Sequence, residues 1–225
     1  MIPVLDPAQL FGLRVGLGVL VGGWLITWAA LQHPATRVRQ WWDVYLGSLA
    51  TAIIGARIGY VLLHAEDFIS QPERVLLLWY GELSWIGALL GGGLAMIILC
   101  RWRKIPLRAF ADGAALALPI GFMAVWWGCR GAGCGVGAVV SDPSNYPVWQ
   151  VGYLRDLTGD VFPRYELQMG AIFAGAVMLA LMGWLTLQNR LVGRRIWISL
   201  LLIFIAMLTI EGVSQTWTKR VLGGG

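Results

Sequence analysis

The hydrophobic positions of this chain fall into long, nearly unbroken runs rather than into amphipathic stripes or strict alternation. Six of them, Phe11–Leu31, Val44–His64, Leu83–Cys100, Ala109–Gly128, Leu167–Gln188 and Ile196–Gly212, come close to the ~20 residues a helix needs to cross a bilayer. Val75–Trp79 is too short to span. With Pro72 before it and Trp79-Tyr80 after it, it reads as a short interfacial helix. The polar positions between the runs alternate in character. Arg37 and Arg39, then Arg101, Arg103, Lys104 and Arg108, then Arg190, Arg194 and Arg195 occupy every second loop without an acid among them. Such loops stay in the cytoplasm. The other loops mix signs, as in Glu66, Asp67, Glu73, Arg74 and Glu82. The pattern therefore predicts an all-α integral membrane protein, a bundle of about six transmembrane helices with the N-terminus outside. It predicts one polytopic domain over residues 1–225 and a polar outer-face segment, about 129–166, between helices four and five.

Composition agrees and removes some alternatives. Hydrophobic residues make up 58% and charged residues 13% of the chain, against about 25% charged in soluble domains, and the mean hydropathy is +0.69. The net charge of +5 does not point to nucleic acid, because the basic residues sit in short loops where topology accounts for them. The 13 tryptophans and 30 glycines suit membrane interfaces and close helix contacts. Two histidines, His33 and His64, do not make a metal site, and neither a metal nor another cofactor is expected. Cys129 and Cys134 pair if they lie outside the cytoplasm; the spacing alone leaves that open. No cleavable signal peptide is expected, because the N-terminus lacks a basic start and Phe11–Leu31 is long enough to span.

Candidate chemistry begins inside the second run, at Arg57. An arginine at depth costs roughly 2.5–3.5 kcal/mol on insertion scales and is a functional hypothesis by default. It lies roughly 13 Å below the outer end of its helix at the rise of an α-helix. Tyr60 and His64 follow at i+3 and i+7 and share its face, while Gly55 and Gly59 suit packing on the opposite one. Arg57 is read either as a ligand for a lipid phosphate or as half of a buried ion pair with Glu211 or Glu82. His64 is a candidate base or an interfacial residue. In the outer segment, Gly128-Cys129-Arg130-Gly131-Ala132-Gly133-Cys134-Gly135-Val136-Gly137 brings backbone amides and a guanidinium to where an anion can approach. Arg164 and Glu166, at the start of the fifth helix, are either site residues or an interfacial pair. Asp112 is expected to pair with Arg108 one turn earlier, Trp126 and Trp127 to form an interface belt, and the glycine repeats of the first three helices to serve packing.

These residues resemble the prolipoprotein diacylglyceryl transferase family. Asp43 through Gly55-Ala56-Arg57-Ile58-Gly59-Tyr60 looks like that family's second helix almost residue for residue. Gln71-Pro72-Glu73, with Trp79, Gly81 and Ser84, is similar to its next loop. Ser84-Trp85-Ile86-Gly87-Ala88-Leu89-Leu90-Gly91 looks like its hallmark Ser-Phe-His-Gly-Gly-Leu-Ile-Gly, with Ile86 at the His position. Arg103–Asp112 also fits, and weaker similarity runs from Gly133 to Leu167. The family's Gly-Arg-Ile-Gly-Asn signature falls on Val125-Trp126-Trp127-Gly128-Cys129, leaving Arg130 as the nearby cation. The resemblance implies transfer of diacylglycerol from phosphatidylglycerol to the lipobox cysteine of a prolipoprotein, in the bacterial plasma (inner) membrane. The implied partners are an anionic phospholipid and the prolipoprotein signal-peptide region. The headgroup would meet Arg57, Tyr60, Arg130 and Arg164, and Glu166 or His64 would be the base. Two other readings stand beside it. One is a lipid-binding homologue without the chemistry. The other is a small membrane transporter, for which no inverted repeat is visible.

Overall fold

The computed structural model describes residues 6–33, 37–69, 72–76, 83–155 and 159–213. Six helices are long and apolar enough to cross a membrane: α1 (Pro7–Leu31), α2 (Val38–Leu63), α4 (Trp85–Trp102), α5 (Leu107–Ala132), α6 (Leu167–Leu187) and α7 (Arg195–Val213). A short helix, α3 (Ala65–Ile69), and a 3-10 turn at Pro72–Leu76 follow α2. The interfacial helix expected at Val75–Trp79 is thus a tighter turn placed earlier, and residues 77–79 lie outside the described part. The outer segment is not only loop. Strands β1 (Val151–Arg155) and β2 (Val161–Tyr165) form an antiparallel hairpin that pairs Val151 with Tyr165 and Arg155 with Val161.

Two compact units divide the chain, Ile26–Phe110 and Met1–Leu25 with Ala111–Gly225. The first is built on a glycine seam. Helices α2 and α4 run antiparallel, with Gly47 against Leu99, Gly55 against Gly87 and Gly91, and Gly59 against Ser84. The backbones meet directly: a methyl group at Gly91 would lie 2.6 Å from the Thr51 carbonyl oxygen, and one at Gly55 would lie 2.5 Å from that of Gly87. Small residues recurring every four positions produce this approach, which trades side-chain burial for backbone contact where lipid offers no hydrophobic drive. Thr51 keeps its hydroxyl satisfied by donating to the Gly47 carbonyl at 2.8 Å. The Ser84 hydroxyl accepts from the Gly87 N–H at the start of α4, and the Ser84 N–H donates to the Ala56 carbonyl of α2 at 2.9 Å. Arg103 closes the other end of the pair on Asp43 at 3.1 Å.

The second unit packs by larger side chains. Ala111, Ala115 and Leu116 of α5 meet Met182 and Leu185 of α6 and Ile196 of α7. Gly175 of α6 receives Met123 of α5, and Gly18 of α1 receives Ala124. Gly12 and Gly16 are exposed and touch no neighbour, so the packing role expected of the first helix's glycines falls to Gly18 and the buried Gly22 and Gly23. Helix α5 continues through Pro119. Asp112 does not use Arg108. Its carboxylate accepts from the Gly193 N–H at 2.6 Å and lies 3.8 Å from Arg195, so a long-range clamp replaces the expected local pair. Trp126 also departs from expectation: it is buried on Gly135, whereas Trp127 is exposed. The one-residue step around the helix puts one ring inside and one out.

The seam makes a sharp prediction. Gly91→Val should destabilise the unit by about 1–3 kcal/mol, the usual range for overpacking, while Gly93→Val, where nothing lies within 4 Å, should change little. Thermal melts of the two variants in one detergent check this.

Candidate functional site

Arg57 is buried in the first unit, at 4% exposure. Its Nε donates to the Val75 carbonyl at 3.0 Å and its Nη2 to the Arg74 carbonyl at 2.5 Å. These carbonyls end the 3-10 turn, where a cation is favoured. The guanidinium carbon lies 5.3 Å from the Phe68 ring and 5.9 Å from that of Tyr60. Tyr60 stacks on His64 with ring centroids 4.2 Å apart, and the His64 Nδ1 sits 3.1 Å from the Tyr60 carbonyl oxygen. The shared face read from the i, i+3 and i+7 spacing is therefore present, and it carries a cation, two rings and an imidazole. Two of Arg57's nitrogens are engaged with main-chain carbonyls. Of the carboxylates named for an ion pair, Glu82 lies outside the described residues and Glu211 belongs to the other unit.

The second unit gathers Arg130, Arg164 and Glu166. Helix α5 carries Arg130 in its last turn. Beyond it Gly133 and Gly135 take φ of 78° and 64°, left-handed values that glycine adopts without strain and that end a helix. The chain then turns back, and the Cys134 N–H donates to the Cys129 carbonyl at 3.1 Å. Cys129 and Cys134 form a disulfide. Closing so short a loop contributes about 2 kcal/mol in the chain-entropy account. Arg130 donates from Nη2 and Nε to Glu166 Oε1 and Oε2 at 3.4 and 3.5 Å. The two side chains are 45% and 10% exposed, so the cation keeps a wet face while the carboxylate is nearly covered.

Glu166 is held from several sides. It is the residue before α6, its N–H donates to the Gln150 carbonyl at 3.0 Å, and its carboxylate lies where a side chain at Gly152 would be. Gly152 of β1 pairs with Arg164 of β2, so the hairpin presents a bare backbone to the carboxylate. Arg164 points inward and is buried; its Nη1 donates to the Gly137 carbonyl at 3.4 Å, and its guanidinium carbon lies 5.6 Å from the Phe162 ring. Glu166 thus pairs with Arg130, while its near neighbour Arg164 secures the hairpin to the glycine segment.

Three contributors were not assigned from sequence. Arg14 of α1 donates to the Trp127 carbonyl at 2.8 Å, lies 5.0 Å over the Trp127 ring, and packs against Gly131. Gln168, buried in the first turn of α6, donates to the Cys134 carbonyl at 3.1 Å. The hairpin holds Gly152. Its signal was available: two five-residue runs rich in Val, Tyr and Phe bracket a Gly-Asp turn. Arg14 and Gln168 carry no such local signal, since their partners lie far along the chain. Tyr165, at the end of β2, has its phenol raised above the ordinary value of 10.0, first by its hydrogen bond with Tyr146, then by burial and by that neighbour's charge.

The comparisons with known proteins agree with one another. The family model described as prolipoprotein diacylglyceryl transferase matches residues 5–221. The chain is 30% identical over 190 residues to a phosphatidylglycerol–prolipoprotein diacylglyceryl transferase of Sinorhizobium medicae, covering 80% of this chain and 65% of that one. It is 37% identical over 95 residues to the protein of the same description from Thermus thermophilus, covering 39% and 34%. With that of Rhodospirillum rubrum it shares 26% over 205 residues, covering 81% and 69%. The chain spans slightly less than two thirds of the length of the Sinorhizobium relative.

Two measurements test this geometry. Arg57 grips the carbonyl that trypsin would attack after Arg74, so Arg57→Ala should open that bond to cleavage while the wild type resists. Its loss should cost about 1.5–3 kcal/mol for each bond to the charged group. For Tyr165, a raised phenol favours the neutral folded form. The stability it contributes is therefore present below pH 10 and lost as pH rises through its folded value. Ultraviolet titration should show Tyr165 among the tyrosines that ionise late, and Tyr146→Phe should bring its share of the signal down toward the ordinary range.

Proposed function

As this chain belongs to the prolipoprotein diacylglyceryl transferase family, we propose that it moves diacylglycerol from an outer-leaflet phosphatidylglycerol to the lipobox cysteine thiol of a prolipoprotein. The proposal places it in the bacterial plasma (inner) membrane as one polytopic domain, with both termini and the segment 129–166 outside. The observation that carries it is the Arg130–Glu166 pair, a half-exposed cation resting on a nearly covered carboxylate at 3.4 Å.

In this reading a lipid phosphate competes with Glu166 for the N–H donors of Arg130. Glu166, displaced from Arg130, is then placed to take the proton of the lipobox thiol as general base. The thiolate attacks the glyceryl carbon that bears the phosphate. The S–C bond forms as the C–O bond breaks, and glycerol phosphate leaves with the electron pair on its oxygen. Arg130 stabilises that growing charge, and the proton on Glu166 passes to water. Arg164 supports the site from beneath by holding the hairpin. Within the other unit, Arg57 fixes the turn after α2, and His64, an alternative candidate base, stacks on Tyr60.

A second reading, lipid binding without turnover, is favoured by Ile86. This apolar side chain, at the position the family resemblance gives to a histidine, neither takes nor gives a proton. One assay separates the two. Purified protein is incubated with labelled phosphatidylglycerol and a lipobox peptide. The transferase reading expects a thioether product whose rate falls about 100-fold or more in Glu166→Gln, the usual worth of a general base. Lipid that binds without product, while a relative turns over beside it, leaves the binding reading.

A further inference from the structure

We infer that the Cys129–Cys134 disulfide is the clamp that positions Arg130 on Glu166, so that the phosphate-binding state of this site depends on the oxidised form of the pair. The inference rests on the reading of Arg130 as the phosphate ligand. It starts from where the contacts lie. The disulfide encloses residues 130–133. Within that ring, Arg130 reaches Glu166 and Gly131 receives Arg14. At its closing residue, the Cys134 carbonyl accepts from the buried Gln168 of α6. Just after it, Gly135 turns with a φ of 64° onto the Trp126 ring.

The Gln168 and Trp126 contacts need the chain to reverse within a few residues of the helix end, and Arg130 and Gly131 lie in the last turn before that reversal. Helix ends fray at little cost, and left-handed glycines permit the reversal without enforcing it. The covalent bond enforces it. With the ring open, the last turn of α5 unwinds at Arg130, and the guanidinium, nearly half exposed, exchanges its long bonds to Glu166 for water. A disulfide is suited to this duty outside the cytoplasm, where oxidised pairs persist.

The test uses the whole protein in detergent. A dithiol such as dithiothreitol reduces the pair, itself becoming a cyclic disulfide as Cys129 and Cys134 take up two electrons and two protons. Removing the reductant and reoxidising reverses the change. In the transfer assay, reduction should raise the apparent KM for phosphatidylglycerol about tenfold with kcat nearly unchanged, a loss within the range of coupled neighbours, and reoxidation should restore it. Cys129→Ser with Cys134→Ser should behave like the reduced protein. In an Arg130→Gln background, reduction should add nothing further. A loss that adds in full to that of Arg130→Gln, or no loss at all, overturns the inference and shows a general staple instead. Hydrogen exchange gives a readout that needs no lipid. Reduction should speed exchange in residues 150–155 and 161–168 and leave α2 and α4 as they were; unchanged exchange in those strands also overturns the clamp. Oxidised wild type that neither binds nor transfers the lipid would instead sink the phosphate-ligand reading, and the exchange result alone would then decide whether the disulfide positions Arg130.

Discussion

A polar group inside a membrane must find its partner within the protein, and that constraint governs where several of the buried polar groups and helix-seam glycines of this chain lie. Arg57 finds the carbonyls at the end of a 3-10 turn. Asp112 finds the Gly193 amide and Arg195, across 81 residues in the first case. Thr51, Thr186 and Thr209 return their hydroxyls to carbonyls one turn back. The glycine seam of α2 and α4 answers the same constraint differently. It lets two backbones approach until the Ser84 amide reaches a helix carbonyl, an arrangement that side chains would prevent.

The two units solve packing with different materials. In the first, a small residue every four positions on both helices removes side chains from the interface and makes it intolerant of any added carbon. In the second, alanines and methionines fill the space between α5, α6 and α7. Methionine adapts to irregular gaps, so this unit should accept substitution where the seam does not. The outer segment borrows from neither. It relies on a hairpin, a disulfide and left-handed glycines, the devices of small domains exposed to water.

What the sequence disclosed follows the range of each interaction. The helices were legible because a spanning segment is defined by its own residues. The seam was legible because Gly55, Gly59, Gly87 and Gly91 repeat at helical spacing, and so was the common face of Arg57, Tyr60 and His64. Interactions across long separations were not. Asp112 has an arginine four residues away and ignores it for one 83 residues on (195 − 112). Trp126 and Trp127 are alike in sequence, yet one is buried because Gly135 folds back onto it. Arg130 and Glu166 were singled out separately, but their pairing joins residues 36 apart, which local pattern does not state.

The contrast between Arg57 and Arg130 is why we propose the second as the place for chemistry. Arg57 lies inside α2, whereas Arg130 lies in the last turn of α5. Arg57 holds main-chain carbonyls, acceptors that cannot leave without unravelling a turn, and it is almost wholly covered. An anion reaching it would have to break structure before it gained a bond. Arg130 holds a carboxylate, at distances of 3.4 and 3.5 Å that are long for a charge-assisted pair, and it is nearly half exposed. In the function we propose, a phosphate replaces the Glu166 carboxylate on the same donors of Arg130. A site that binds by exchange needs its cation placed but not saturated. In the clamp inferred above, the short covalent ring around Arg130 supplies the placement, and the long bonds leave the exchange open.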